Sequence, residues 1–428
     1  PQTLIGKWAY EHQNPKYWLE RHALISKESC EAIRTGYRDT SAGVMIFALC
    51  TWFQNLYDVN TIAPYPTLNA VAQAWEPVMV SAQLMGRHFY AGSSHTVNAV
   101  VVNDSPTCET LEDITVDWDI VYNDRVLSSG KKNFSGALEY YKNKAEKLTL
   151  VMPETLPDSK VEARLVLKLS ANGRVISTNS YDICVCEKAF VQVKSGWLTG
   201  LQKTLRMKSA LNVGYFTQDN ALKPVLAKLG VKTVMEDSLG NLSPKKYDVL
   251  LVDNLTSEPA NYKKILEYAE AGGQVLLSMN REFVLNLFPE ELRGSTTLSK
   301  EIVTPCAYEK SIFDGIEPDE LSWFTGTETS KDSIKPKYNP IACERAYNVN
   351  YNDHTALLAE TMRIHGYVFK EKEKPYNPGN TFDEVFGYPL LEISKGKGRI
   401  IVSSMYFQTP DDPIAHRLLA NVLGYLAE

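Results

Sequence analysis

Residues 43–55 read GVMIFALCTWFQN. The run after Gly43 is apolar on both faces of any strand it forms, and such strands lie in parallel sheets covered by helices. Its end is different. Trp52 and Phe53 are followed by two amides, Gln54 and Asn55. Upstream, Asn14-Pro15 is a helix-start pair. The stretch PKYWLERHALISKESCEAIRTG (15–36) predicts a helix closed by Gly36, with Trp18, Leu19, Ile25, Ala32 and Ile33 forming a broad apolar face. Downstream, PYPTLNAVAQAW (64–75) predicts a short helix after a proline-rich loop. Helix, buried strand, loop and helix make up one unit of an α/β barrel, which closes only with eight. Residues 1–76 are therefore expected to be one unit of a (β/α)8 barrel, most of which lies outside this chain.

From about 77 to 190 the period changes to two. HTVNAVVVNDS (95–105) predicts a strand with a polar end. In ITVDWDIVYND (114–124), Ile114, Val116, Trp118, Ile120 and Tyr122 face one way. KVEARLVLKLSANGRVIS (160–177) alternates too, and its Asn172-Gly173 is a strong hairpin signal. Short, turn-separated strands with one polar face predict an antiparallel sandwich of immunoglobulin type.

From 191 to 428 strands and helices alternate. LNVGYF, KTVMED, YDVLLVDN, GGQVLLSM and KGRIIVSSMYF predict strands. NALKPVLAKLG, PANYKKILEYAEAGG and PIAHRLLANVLGYLAE predict helices. This is the pattern of a doubly wound parallel α/β domain. Between about 290 and 385 it breaks into a long irregular insertion, partly strand, expected to lie over the sheet edge or a neighbouring domain. The chain as a whole is expected to be multidomain, α/β plus all-β.

The 428 residues exceed what one core organises. A net charge of -6, with 22% charged and 44% hydrophobic residues, gives no reason to expect nucleic acid or an anionic membrane as partner. No apolar run is long enough to span a bilayer. Cys184 and Cys186 point to the same face of a strand, a poor arrangement for a disulfide. No initiator Met or signal peptide precedes PQTLIGKWAYEHQN, so a piece of a longer protein is expected.

Chemistry is sparse in the C-terminal part. The turn after its first strand, FTQDN, has no glycine to cradle phosphate. Its strand ends, VDNLTSE and LSMNRE, carry no nucleophile elbow, and Ser278 reads as an ordinary polar residue at a strand end. The seven His have no metal-ligand spacing, so no metal and no cofactor are expected. Asp113, Asp117 and Asp119 read as a solvated strand face. At the mouth of a barrel, residues just past a strand line the site. Trp52, Phe53, Gln54 and Asn55 hold that position, and an aromatic platform beside amides suits a sugar. The competing reading is a core Trp with Gln and Asn capping the next loop.

The stretches ESCEAIRTGYRDTSAGVMIFALCTWFQN (28–55) and AWEPVMVSAQLMGRHFYAGSSHTVNAVVVNDS (74–105) resemble the end of the catalytic barrel and the following sandwich of glycoside hydrolase family 2, which holds β-galactosidases, β-mannosidases and β-glucuronidases. Pro77-Val78 matches the family's Pro-Val strand that opens the sandwich, and Val102-Asn103-Asp104 matches the pattern in its next strand. The closing GKGRIIVSSMYF (396–407) and DDPIAHRLLANVLGYL (411–426) resemble a glutamine-amidotransferase-like or β-galactosidase-trimerisation-like domain. The resemblance implies that residues 1–76 are the C-terminal unit of the barrel. It also implies a retaining glycosidase acting on β-linked glycans through two glutamates. The acid/base, usually in an Asn-Glu pair, has no counterpart in this sequence, and Glu11 falls near the nucleophile's place. The catalytic residues are thus expected upstream, and this piece alone is expected to be inactive. The resemblance also implies a carbohydrate substrate, a homo-oligomer through the C-terminal domain, and a periplasmic or extracellular location. The alternatives are a non-catalytic carbohydrate-binding or assembly module, and an amidotransferase-like enzyme, for which Cys306 and Cys343 sit in the insertion, away from the predicted strand ends.

Overall fold

The computed structural model describes residues 11–36, 52–84, 86–193, 211–240, 242–254, 259–278, 281–296, 303–324, 342–343, 345–350, 352–362 and 386–428. The predicted strand at 43–51 and much of the predicted insertion lie outside these residues. The fold is mixed α/β, richer in strands than in helices. Two compact units divide it, Asn14–Glu187 and a second made of Pro1–Gln13 with Lys188–Glu428.

The first unit opens with helix α1 (Pro15–Gly36), whose start Asn14 caps by accepting from the Lys16 amide at 3.0 Å. A two-residue pairing of β1 (Phe53–Gln54) with β2 (Ala63–Pro64) and the short helix α2 (Pro66–Ala74) follow. Next come β3 (Val78–Gln83), β4 (His88–Tyr90), β5 (Ser94–Asn103), β6 (Thr115–Tyr122), β7 (Arg125–Asn133), β8 (Lys142–Val151), β9 (Lys160–Ala171) and β10 (Arg174–Cys186). They form a three-stranded sheet, β3-β5-β8, and a five-stranded sheet, β4-β10-β9-β6-β7.

The two sheets face each other across one core. Val80, Val101 and Leu150 of the smaller sheet pack in it with Trp118, Leu167 and Ile183 of the larger. The predicted alternation holds along β6, where Val116, Trp118 and Ile120 are buried while Asp117 and Asp119 turn outward to Lys131 and Lys168. The β9–β10 hairpin turns at Asn172 (φ 51°) and Gly173 (φ 73°), the left-handed pair of a type I′ turn. Cys184 and Cys186 are both buried on β10, their sulfurs 3.6 Å apart and unbridged.

Helix α1 overturns one expectation. The face it buries is not Trp18, Leu19, Ile25, Ala32 and Ile33, which stay half-buried or exposed. It buries Arg21, Ala23, Lys27, Cys30, Glu31 and Arg34. Charges are tolerated there because the sandwich supplies their partners, as set out below.

In the second unit, α3 (Lys188–Val191) leads to β11 (Asn212–Thr217), α4 (Lys223–Leu229), β12 (Lys232–Met235), β13 (Val249–Asp253), α5 (Pro259–Glu270), β14 (Gln274–Ser278) and α6 (Arg281–Leu287). After β15 (Leu292–Thr296), β16 (Val303–Pro305), β17 (Ala346–Val349), β18 (Thr355–Met362) and β19 (Phe386–Lys395), the chain returns through β20 (Gly398–Ser403) to the terminal helix α7 (Pro413–Ala427). Strands β12-β11-β13-β14-β20 are parallel neighbours. Successive side chains of a strand point to opposite faces. Leu250 and Leu251 of β13, like Leu276 and Leu277 of β14, are all fully buried, so both faces are covered.

The described part of the predicted insertion does not lie over the sheet edge. It continues the sheet: β19 pairs antiparallel with β20, and β17, β15, β18 and β16 extend it further. A hydrogen-bonded extension satisfies the open edge of β20 directly.

Candidate functional site

Trp52, Phe53, Gln54 and Asn55 stay together but face different surroundings. Trp52 is only 7% exposed and packs with Cys30 of α1 and with Val71 and Ala74 of α2. Its carbonyl accepts the Tyr65 amide at 2.7 Å, which pins the start of the loop to its end. Phe53 is half-buried on the same cluster, while Gln54 and Asn55 are exposed. Asn55 takes the left-handed conformation (φ 55°), and its Nδ2 donates to the Thr61 carbonyl at 3.1 Å. Asp58 accepts from the Asn60 amide and the Thr61 hydroxyl, both at 2.9 Å. Those hydrogen bonds hold its carboxyl below the usual carboxylate range.

The loop therefore has an ordered shape, with Trp52 as its floor from behind. The ring that faces solvent is Tyr57, fully exposed at the tip beside Val59. Tyr57 was not singled out in the sequence. Its signal was its place two residues past the amides, on a loop closed by Asn55, Asp58 and Thr61 side chains.

A buried polar network ties α1 to the sandwich. Glu31 accepts from Ser81 Oγ (2.6 Å), Tyr181 OH (2.7 Å) and Asn179 Nδ2 (2.9 Å). Lys27, one turn earlier, reaches the Ser180 carbonyl at 2.5 Å and lies 4.2 Å from the centre of the Tyr181 ring. Burial lowers the Lys27 pKa, and neighbouring Glu31 opposes that shift. Burial raises the Tyr181 hydroxyl well above its ordinary range, reinforced by the Glu31 charge.

Arg34 donates to the carbonyls of Ala74 (2.7 Å), Glu76 (2.8 Å) and Pro77 (3.3 Å), and to the Asp104 carboxylate at 2.9 Å. In the sheet, Val78 lies opposite Asn103 and Met79 opposite Val102. Pro77-Val78 and Val102-Asn103-Asp104, far apart in sequence, are thus adjacent, and one arginine of α1 spans them. Glu11 is exposed and groups with the second unit, whereas Trp52 belongs to the first. Among the described residues no group of three or more His, Cys, Asp or Glu could hold a metal ion. Two shallow grooves meet at Glu76, one along α2 and one against β10, and neither is lined by Trp52–Asn55.

No protein-family model matches the chain, and no curated protein matches it. Among solved structures it is similar to a β-galactosidase from Rahnella sp. R3, at 12% identity and a TM-score of 0.31, over 50% of this chain and 31% of that one. The exo-β-1,4-mannosidase Op5Man5 from Opitutaceae bacterium strain TAV5 matches at 12% identity and a TM-score of 0.29, over 49% of this chain and 33% of that one. The sporulation control protein Spo0M from Bacillus subtilis matches at 14% identity and a TM-score of 0.19, over 26% and 49%. The chain thus spans from about a third to about half of the length of these structures. Likeness this partial leaves function to be argued from the residues themselves.

Proposed function

We propose that this chain is the C-terminal part of a retaining glycoside hydrolase of the family 2 type, acting on β-linked glycans. In this reading its parts are the last unit of a (β/α)8 barrel, an immunoglobulin-like sandwich and a doubly wound amidotransferase-like domain. The catalytic glutamates come from residues outside this chain. The observation that carries the reading is the Arg34 clamp. The two short motifs that resemble the family's first two sandwich strands are hydrogen-bonded neighbours, held by the helix that precedes the Trp52 loop.

Helix α1 lends a second support. Its apolar face, Trp18, Leu19, Ile25, Ala32 and Ile33, stays half-buried or exposed, as expected of a helix whose other barrel neighbours are missing. Gln54, Asn55, Phe53 and Tyr57 then supply part of the wall of the sugar site, with Trp52 as its backing. Stacking by an exposed ring and hydrogen bonds from amides is the chemistry a glycan needs.

The test is a glycosidase assay on this chain and on the longest natural product of its reading frame, over a panel of β-linked substrates. Activity confined to the longer protein, lowered by Gln54→Ala and Tyr57→Ala, is the expected result. Inactivity of both proteins on every substrate overturns the proposal. Saturable glycan binding without turnover in both would point to a carbohydrate-binding module instead.

A further inference from the structure

An edge strand presents a row of unpaired backbone groups, and proteins manage that row explicitly. The five-stranded sheet of the first unit covers one of its edges with side chains. Strand β4 pairs with β10 only at Cys184–Cys186. Before that point, the carbonyls of Thr178, Ser180 and Asp182 accept from Gln73 (3.3 Å), Lys27 (2.5 Å) and Arg87 (3.4 Å). The edge of the second unit at β12 has no such cover.

Strand β12, Lys232–Met235, ends the parallel sheet beside β11. The Lys232 amide donates to the Leu211 carbonyl at 2.8 Å, and the Glu236 amide to the Tyr215 carbonyl at 2.9 Å. Backbone groups of a strand point alternately to its two sides. Lys232, Val234 and Glu236 therefore turn theirs to β11, and Thr233 and Met235 turn theirs outward. Among the described residues, no group bonds the outward amides and carbonyls of Thr233 and Met235. Met235 is 41% exposed, and the Lys232 side chain is exposed too. The strand carries no proline and no bulge that would block pairing.

The sequence of this edge is self-complementary. It reads Lys232-Thr233-Val234-Met235-Glu236, with opposite charges two residues either side of Val234. A second copy turned about a two-fold axis at Val234 runs antiparallel to the first. Val234 then faces Val234 of the second copy in a non-hydrogen-bonded pair, where side chains approach closest. Thr233 meets Met235 of the second copy, and the outward groups of both copies close four hydrogen bonds. Lys232 meets Glu236 of the second copy, once at each end. Lys232 has no ion-pair partner of its own among the described residues. Glu236 accepts from Lys246 at 2.7 Å and from the Tyr247 hydroxyl, which fix its carboxylate and leave it room for a third donor. A parallel, in-register pairing would set lysine beside lysine. An antiparallel slip of two residues breaks both charge pairs.

We propose that β12 is a self-association edge, to which a second copy of this chain adds antiparallel about a two-fold axis at Val234. The charge match singles out a second copy, since the strand is its own complement only in this register. A two-fold axis closes on two copies, so the product is a dimer. A pairing this short buries little surface and makes a weak dimer that depends on concentration.

Sedimentation equilibrium of the full chain over a concentration series tests this. The mass is expected to rise from that of one chain toward that of two, and no further. Thr233→Pro removes an amide hydrogen that the chain's own sheet does not use. It is expected to abolish the rise while circular dichroism and melting stay unchanged. Lys232→Glu sets carboxylates against each other at both ends and is expected to weaken association about tenfold. Glu236→Lys is expected to do the same with ammonium groups. An equimolar mixture of these two single variants restores association, because each end of the mixed pair is again of opposite sign. Undiminished self-association of either charge variant, no restoration in the mixture, a dimer that survives Thr233→Pro, or a trimer overturns the proposal. So does a chain that stays monomeric throughout the series, which would leave the edge to a strand of another protein.

Discussion

Glu31→Ala removes the acceptor at the centre of the joint between α1 and the sandwich. Glu31 is 4% exposed and takes hydrogen bonds from Ser81, Tyr181 and Asn179. Lys27 Nζ stands 3.8 Å away on the same helix. Each hydrogen bond to a charged group is worth about 1.5–3 kcal/mol net, but the three share one acceptor and do not add. Two of the stranded donors keep other contacts, since Asn179 Nδ2 also reaches the Val80 carbonyl and Lys27 the Ser180 carbonyl. The expected loss is therefore about 3–5 kcal/mol, the usual cost of orphaning one side of a buried charged network. Glu31→Gln keeps the shape and one acceptor oxygen, and is expected to lose about half as much.

Because the chain has two units, a single melting temperature mixes their responses. Hydrogen exchange read by mass spectrometry separates them. The slowest amides of β3 and β10 are expected to exchange at least about 100-fold faster in Glu31→Ala, with those of β13 and β14 unchanged. A loss within about 0.5 kcal/mol, typical of an exposed substitution, would refute the reasoning. So would equal damage from Gln and Ala.

The other predictions separate roles in the same way. Trp52→Ala is expected to cost about 3–5 kcal/mol in the first unit through the cavity it leaves among Cys30, Val71 and Ala74, whereas Tyr57→Ala leaves stability unchanged, both read by urea unfolding. Gly173→Ala meets no atom within 4 Å but must adopt φ 73°, so only backbone strain counts, about 1 kcal/mol by the same measurement. His416 is fully buried, and burial pushes its pKa down to about 4, so the folded state refuses a proton that the unfolded state accepts. Stability of the second unit is then expected to fall by roughly 1.4 kcal/mol per pH unit from about 6.5 down to about 4, a slope that His416→Asn removes in denaturation at stepped pH. Asp253 runs the other way. Burial raises its pKa, so the folded state holds a proton that the unfolded state loses, stability falls as pH rises from about 4 to about 7, and Asp253→Asn is expected to stabilise by about 2–4 kcal/mol at pH 8. A destabilised or unaffected Asn variant would count against that reading.

Local patterns were legible in the sequence because their causes are local. The Asn172-Gly173 turn needs only two residues that accept positive φ, and the alternation along β6 needs only one buried face. The α/β alternation after residue 211 likewise predicts parallel strands with helices between them. The antiparallel extension by β15–β19 was not legible, since its short strands take their register from an edge that exists only once β20 is in place.

The candidate sites divide along the same line. Trp52, Phe53, Gln54 and Asn55 stand out in sequence as an aromatic pair beside amides, but only packing between α1 and α2 decided that Trp52 is buried and that Tyr57 meets solvent. Helix periodicity pointed α1 at its apolar face. The face it buries is charged because Ser81, Asp104, Asn179 and Tyr181, 50 to 150 residues away in sequence, satisfy those charges. By itself the sequence determined the sandwich strands with their alternating faces and the parallel strands and helices on either side of the 290–385 stretch. Tertiary structure alone decided which polar groups meet, because a buried charge or hydroxyl takes its meaning from partners that only the folded chain brings within hydrogen-bond reach.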